Sequence, residues 1–180
     1  MSTRKIASLI KKLVKISGKA NVITKSWDKE AYEKGWRYGS GNAFAVTRPG
    51  NLLELWEILK ACNKDGVIII MQAANTGLTG GSTPQGNDYD RPVVIINTMR
   101  IDDIHLIDNG KQIIGLAGST LYSLERKLEK YDREPHSVIG STSIGASIIG
   151  GVCNNSGGSL VQRGPSFTEL ALYARVNKDG

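Results

Sequence analysis

Apolar positions recur along this chain with two different periods. Near the start, Ile6, Leu9, Ile10, Leu13 and Val14 fall at i, i+3, i+4, i+7 and i+8, with Lys5, Lys11, Lys12 and Lys15 between them; this predicts a basic amphipathic helix. AFAVTRP, residues 43 to 49, reads as a strand. The following GNLLELWEILKACNKDG predicts a helix with Leu52, Leu55, Trp56, Leu59 and Cys62 on one stripe and Gly66 as its terminator. VIIIMQA is continuously apolar, as is VVIIN at residues 93 to 97, and both read as buried strands. DIHLIDNGKQIIGLAG predicts a hairpin around Asn109-Gly110. STLYSLERKLEKYDREP predicts a helix capped by Ser119 or Thr120 and stopped before Pro135. SIGASIIGGVCNN can form a helix whose Gly145, Ala146, Ser147 and Gly150 leave one face nearly flat. Residues 169 to 176 alternate like a strand and run into an NKDG turn with no partner strand after it, so the sheet is expected to be incomplete there.

Composition narrows the class. A chain of 180 residues with 40% hydrophobic residues can bury a core. Its 21 glycines are clustered rather than periodic, which excludes a collagen-like or low-complexity chain. Cys62 and Cys153 have no metal-ligand spacing and read as free buried thiols in a reducing compartment, with neither a disulfide nor a metal site expected. The charges in the first helix interrupt any signal-peptide core, and no stretch is long and apolar enough to span a membrane. That helix either packs on its own domain or lies on an anionic membrane. The net charge of +6 is spread over helices without interleaved aromatics, so no nucleic-acid partner is expected.

The glycine clusters carry the candidate chemistry. MQAANTGLTGGSTPQGNDYDRP, residues 71 to 92, holds Gly, Thr, Ser and Asn directly after an apolar strand but has no cation before Arg91. A Rossmann fingerprint would open a helix, and none is predicted here; a P-loop needs Gly-Lys-Ser/Thr, which the chain lacks. What remains is an amide nest over Asn75 to Ser82, turned inward by Gly77, Gly80 and Gly81, with the hydroxyls of Thr76, Thr79 and Ser82 as further donors. On this reading Gly77 and Gly81 need positive φ angles, and Gly77→Val or Gly81→Val abolishes ligand retention. The second cluster, residues 140 to 165, has Arg163 as its single charge, and the pair suggests one elongated ligand; tight helix packing would account for the second cluster equally well.

MQAANTGLTGGSTPQGNDYDRPVVIINTMR, REPHSVIGSTSIGASIIGGVCNNSGGSLVQRGP and GNLLELWEILKAC together closely resemble the FAD domain of the bacterial quinone-dependent (respiratory) D-lactate dehydrogenases. Those belong to the wider class of flavoproteins related to vanillyl-alcohol oxidase and p-cresol methylhydroxylase. The resemblance implies an α+β fold, the p-cresol methylhydroxylase type of FAD-binding domain with two α/β subdomains. Residues 1–26 would be an N-terminal helix and linker, and 27–180 an FAD-binding domain lacking its C-terminal part. It implies FAD as cofactor, with Ala73, Ala74, Asn75, Thr76, Gly77, Gly81 and Ser82 on the pyrophosphate-binding loop and Gly140, Ser147 and Gly157 as further contacts. It also implies D-lactate as substrate, quinone as electron acceptor, and peripheral attachment to the cytoplasmic face of the inner membrane.

The family's chain continues past residue 180 with the rest of the FAD domain, a substrate-capping domain and a membrane-associated region, which hold the catalytic and substrate-binding residues. No catalytic residue is therefore named here. His105 alternates with apolar neighbours and reads as structural, and His136, beside the second cluster, reads as a loop histidine. Cys153 reads as a small buried thiol rather than a covalent flavin link. The alternatives are another FAD-dependent 2-hydroxy-acid dehydrogenase, such as a glycolate-type enzyme, and an inactive truncated product. The 180-residue chain by itself is expected not to oxidise D-lactate, to be marginally stable and largely flavin-free, and to associate through its C-terminal edge.

Overall fold

A computed structural model describes residues 1–135, 141–154 and 156. The described residues form two compact units, Met1–Arg100 and a second that begins at Ile101.

The first unit is built on a sheet in the order β1 (Val22–Ile23), β2 (Ala45–Thr47), β4 (Val93–Asn97), β3 (Ile68–Gln72). β2 and β3 both run parallel to β4, and β1 is antiparallel to β2. β4 is buried along its whole length, as a central parallel strand should be. β3, expected to be equally buried, is the edge strand among the described residues, and its Met71 is exposed.

Successive β4 side chains point to opposite faces of the sheet. Val94 and Ile96 pack with Ala45 beneath α1 (Thr3–Ser17) and α3 (Leu52–Asp65). Val93 and Ile95 pack with Val46 and Ala43 on the other side, where Tyr32 of α2 (Ser26–Glu33) covers them in part. The apolar stripe of α1 lies in the first of these cores, with Leu9 and Leu13 fully buried, and its lysines stay outside. The α1 face that could have met a membrane is therefore occupied by the helix's own domain.

α3 starts where Asn51 accepts a bond from the Glu54 amide, and it ends at Gly66 as the sequence indicates. Its buried face differs from the expected stripe. Leu55, Ile58, Leu59 and Cys62 face the core, whereas Leu52 and Trp56 are exposed. Ile58 follows the same i, i+3, i+4, i+7 spacing with a better-centred face, and Trp56 instead lies beneath the Lys60 ammonium, 4.0 Å from its ring centre. Burial pushes the Cys62 thiol up to about 12, with the nearby Asp65 carboxylate adding to the shift.

α2 and β1 give no periodic signal in the sequence. α2 is short and polar, and its buried residue is Lys29, whose ammonium bonds Glu33 at 2.7 Å and the Ala43 carbonyl; Glu33 also accepts from the Ala43 amide at 2.7 Å. A buried charge is tolerated when it is paired and hydrogen-bonded, and here it fixes α2 to the entry of β2.

In the second unit, β5 (Ile104–Ile107) and β6 (Gln112–Gly115) form the expected hairpin. Its apolar side, Ile104 with Leu106 and Ile113, packs on Leu121, Leu124 and Leu128 of α4 (Leu121–Leu128), and His105 is exposed. Thr120 is the cap, accepting from the Ser123 amide. α4 gives way to a 3-10 turn at Glu129–Tyr131, short of Pro135. The small-residue segment forms a 3-10 turn at Thr142–Ile144 and, beyond Gly145, α5 (Ile148–Cys153), so the single helix expected there is broken in two. Cys153 at its end is exposed, in contrast to the buried thiol expected. The expected C-terminal strand and His136 lie outside the described residues.

Candidate cofactor-binding site

The loop that leaves the C-terminal end of β3 sits where open α/β sheets bind ligands, beyond the carboxyl ends of parallel strands. Among the described residues, no backbone N–H from Ala74 to Ser82 has a partner within the chain. Gly77, Leu78, Thr79 and Gly81 are exposed, so these amides are open to water or to an acceptor that displaces it, and successive free amides are the donor set of an anion-binding concavity. The stretch from Ala74 to Ser82 contains no acidic residue to repel an anion, the loop's two aspartates standing further on at Asp88 and Asp90, and Thr76 and Thr79 add hydroxyl donors.

The framework under these amides is fully bonded. Buried Gln72, at the end of β3, donates to the carbonyls of Tyr32 at 2.9 Å and Ser82 at 2.8 Å and accepts from Asn97 at 3.1 Å. Asn97 donates also to the Ala73 carbonyl at 2.9 Å. Asn75, at φ 55°, donates to the Lys34 carbonyl and accepts from the Ser82 hydroxyl, both at 2.8 Å. The loop's two ends are thus tied to each other and to the end of α2. An open groove of about 520 Å³ lies alongside, where Trp27, Lys34 and Trp36 face Ala74 and Asn75.

Ala73, Ala74, Asn75, Thr76, Gly77, Gly81 and Ser82 therefore share one loop of the first unit. The glycine geometry differs from the nest read from the sequence. The left-handed residues are Asn75 and Gly80, at φ 74°, whereas Gly77 and Gly81 have ordinary φ angles with open space or ordinary van der Waals contact where a Cβ would stand. A Cβ on Gly80 would lie 2.6 Å from the Gln85 amide nitrogen and 2.9 Å from the Tyr38 carbonyl oxygen. Gly80 is the position that requires glycine, and the positive-φ reason given for Gly77→Val and Gly81→Val does not hold. Ser147 lies in the second unit as the cap of α5, where its hydroxyl accepts from the Gly150 amide at 3.0 Å. Gly140 and Gly157 lie outside the described residues. Sequence reasoning missed Gln72 and Asn97, whose pairing spans 25 residues and leaves no local pattern, and Gln85, whose partner Gly80 is five residues away but which reads as an ordinary polar loop residue.

Residues 43–180 match the family described as FAD binding domain. The chain belongs to that family. Its fold is the α+β fold of p-cresol methylhydroxylase, whose substrate-bound crystal structure covers 87% of this chain at a TM-score of 0.72 and 17% identity, against 30% of its own length. Alkyldihydroxyacetonephosphate synthase is similar at a TM-score of 0.72 and 15% identity, again with 87% and 30% covered. Among curated proteins, the quinone-dependent D-lactate dehydrogenase of Haemophilus influenzae is 61% identical over 97% of this chain, and that of Escherichia coli 56% identical over all of it. The chain spans 31% and 32% of those two relatives.

FAD is the cofactor of the family, and the stretch from Ala74 to Ser82 has the donor chemistry its pyrophosphate needs, unpaired amides and hydroxyls, while Glu30 and Lys34 both line the adjoining groove. Among the described residues no group of His, Cys, Asp or Glu could hold a metal ion, and no helix is long and apolar enough to cross a membrane.

Proposed function

We propose that this chain is the cofactor-holding part of a quinone-dependent D-lactate dehydrogenase. The run of unpaired amides from Ala74 to Ser82 carries this reading. These amides, with Ala73, Thr76, Gly77, Gly81 and Ser82 around them, hold the pyrophosphate of FAD, and Gly140, Ser147 and Gly157 supply further contacts. When bound, FAD supplies the acceptor for the hydride equivalent that leaves D-lactate as it becomes pyruvate. The chain's own part is to bind and orient. The Gln72–Asn97 pair holds the loop against α2 and β4, and the loop itself meets the anionic pyrophosphate with neutral donors.

The catalytic and substrate-binding residues belong, on this proposal, to the part of the relatives that the chain does not span. Electrons then pass to quinone at the cytoplasmic face of the inner membrane, where the protein is held peripherally. The exposed lysines of α1 and the net charge of +6 suit an anionic surface.

Similarity at 31% identity to the mitochondrial D-2-hydroxyglutarate dehydrogenase of Danio rerio makes another 2-hydroxy acid the natural competing substrate. The test is the visible spectrum of the natural gene product together with its reduction of a soluble quinone. Flavin bands and faster turnover of D-lactate than of glycolate or D-2-hydroxyglutarate support the proposal. A folded protein that takes up no flavin, or one that prefers another acid, contradicts it.

A further inference from the structure

We infer that Asn97 and Gln85 are positioning residues, which aim the backbone amides of Ala74 and Gly81 at the anionic group held by the loop. The inference rests on the FAD reading above and adds the means by which the donors are oriented.

The geometry follows from peptide planarity. In a trans peptide the carbonyl of one residue and the N–H of the next point in opposite directions, so fixing the first fixes the second. The Ala73 carbonyl accepts from Asn97 Nδ2 at 2.9 Å, which turns the Ala74 N–H away from Asn97. The Gly80 carbonyl accepts from Gln85 Nε2 at 2.8 Å, Thr83 Oγ1 at 3.2 Å and the Thr83 amide at 3.3 Å, which turns the Gly81 N–H away from Gln85. Both freed amides lie in the run without partners.

Asn97 cannot exchange its amide nitrogen and oxygen without losing all its bonds. Its Nδ2 also donates to Gln72 Oε1 at 3.1 Å and its Oδ1 accepts from the Met99 amide at 3.2 Å. A flipped side chain would set donor against donor and acceptor against acceptor. Gln72 is held in turn by the carbonyls of Tyr32 and Ser82. The pattern assigns each side chain one role: Gln72 orients Asn97, Asn97 orients the Ala73–Ala74 peptide, and Gln85 orients the Gly80–Gly81 peptide.

Gln85 is exposed, so its replacement leaves the core intact. The experiment compares the natural gene product with its Gln85→Leu and Asn97→Asp variants. FAD affinity is read from flavin fluorescence, amide signals of Ala74 and Gly81 by NMR, and the unfolding midpoint on the flavin-free proteins. Gln85→Leu should weaken FAD about tenfold, the equivalent of one lost charge-assisted orientation, with an unchanged flavin-free midpoint and a displaced Gly81 signal. Asn97→Asp, which keeps the acceptor for Met99 but removes the donor to Ala73 and to Gln72 and sets a buried carboxylate oxygen against both, should displace the Ala74 signal and weaken FAD by more than Gln85→Leu does. Unchanged affinity in Gln85→Leu overturns the inference, as does a loss of affinity matched by an equal loss of flavin-free stability. FAD that binds the unaltered protein without moving any amide signal from Ala74 to Ser82 overturns the site reading itself, and the inference with it.

Discussion

Two loops of this molecule are written in the same residue types and do opposite things with their backbones. The turn between β5 and β6 places Asp108, Asn109 and Gly110 at positive φ and uses its amides at once: Gly110 donates to the Ile107 carbonyl and Lys111 to that of Asp108, each at 3.1 Å. The loop after β3 also turns on left-handed residues, Asn75 and Gly80, yet its amides from Ala74 to Ser82 have no partner among the described residues. The hairpin turn closes on itself. In the other loop, side chains from β3, β4 and Gln85 bind the carbonyls, so the donors remain available. Glycine and asparagine therefore say only that the chain turns; what distinguishes the connector from the site here is whether the amides of the turning residues bond the turn's own carbonyls or stay open, as they do from Ala74 to Ser82 even though the Thr83 amide joins Gln85 at the Gly80 carbonyl.

The largest test of this contrast is Gly80→Val. A β-branched residue at φ 74° is strained, and its Cβ would collide with Gln85 and the Tyr38 backbone, so we expect FAD retention to be lost and the fold to weaken by about 1–3 kcal/mol. Flavin content and a urea titration read both.

Raising the pH separates the two regions by another route. The Cys62 thiol lies in the core of the sheet that carries the site loop, and its folded value of about 12 exceeds the ordinary 9.0. Between those values the unfolded chain has released a proton that the folded one keeps, so stability is unaffected below pH 9 and falls as pH rises above it, by about 1.4 kcal/mol per unit. Cys62→Ala should remove that slope. Amide exchange, corrected for its intrinsic pH dependence, should show protection in β2 and β4 reduced about tenfold at pH 10, while the hairpin, among whose described residues no such buried thiol lies, keeps its own.

A smaller effect is expected from Gly110→Ala in the hairpin turn. Its φ of 78° makes a Cβ cost about 1 kcal/mol, and the methyl would approach a Leu128 terminal carbon that can shift; FAD affinity should not change. Smallest of all is Gly77→Ala, where a Cβ meets nothing within 4 Å; flavin-free stability should stay within about 0.5 kcal/mol. A larger loss there would mean that the loop is folded differently.

The legible part of the fold was the part written in periods. α1, α3, β4, the hairpin and the Thr120 cap follow from spacing and cap residues that act over a few positions. α2 escaped because its one buried residue is Lys29, kept inside by an ion pair one helical turn away and a carbonyl 14 residues away rather than by an apolar stripe. The orientation of α3 was misjudged by one position in its heptad because Trp56 reads as apolar, although cation–π contact with Lys60 lets it remain outside. At the site, the loop and most of its residues were visible as a charge-poor cluster after a strand, but the glycine that matters was not: the left-handed φ of Gly80 and the approach of Tyr38 and Gln85, which single it out over its neighbours, exist only in the folded chain. The side chains that hold the loop, Gln72 and Asn97, read in sequence as the polar ends of two strands, since their pairing spans 25 residues.

The central claim, that the loop's unpaired amides are the anion-binding surface, is tested most directly by the amide spectrum of the natural gene product during titration with FAD. The account predicts that signals from Ala74 to Ser82 move together and saturate with flavin binding, while those of Gly110 and Lys111, already bonded within their turn, stay in place. Saturable flavin binding with the Ala74–Ser82 signals unmoved would contradict it.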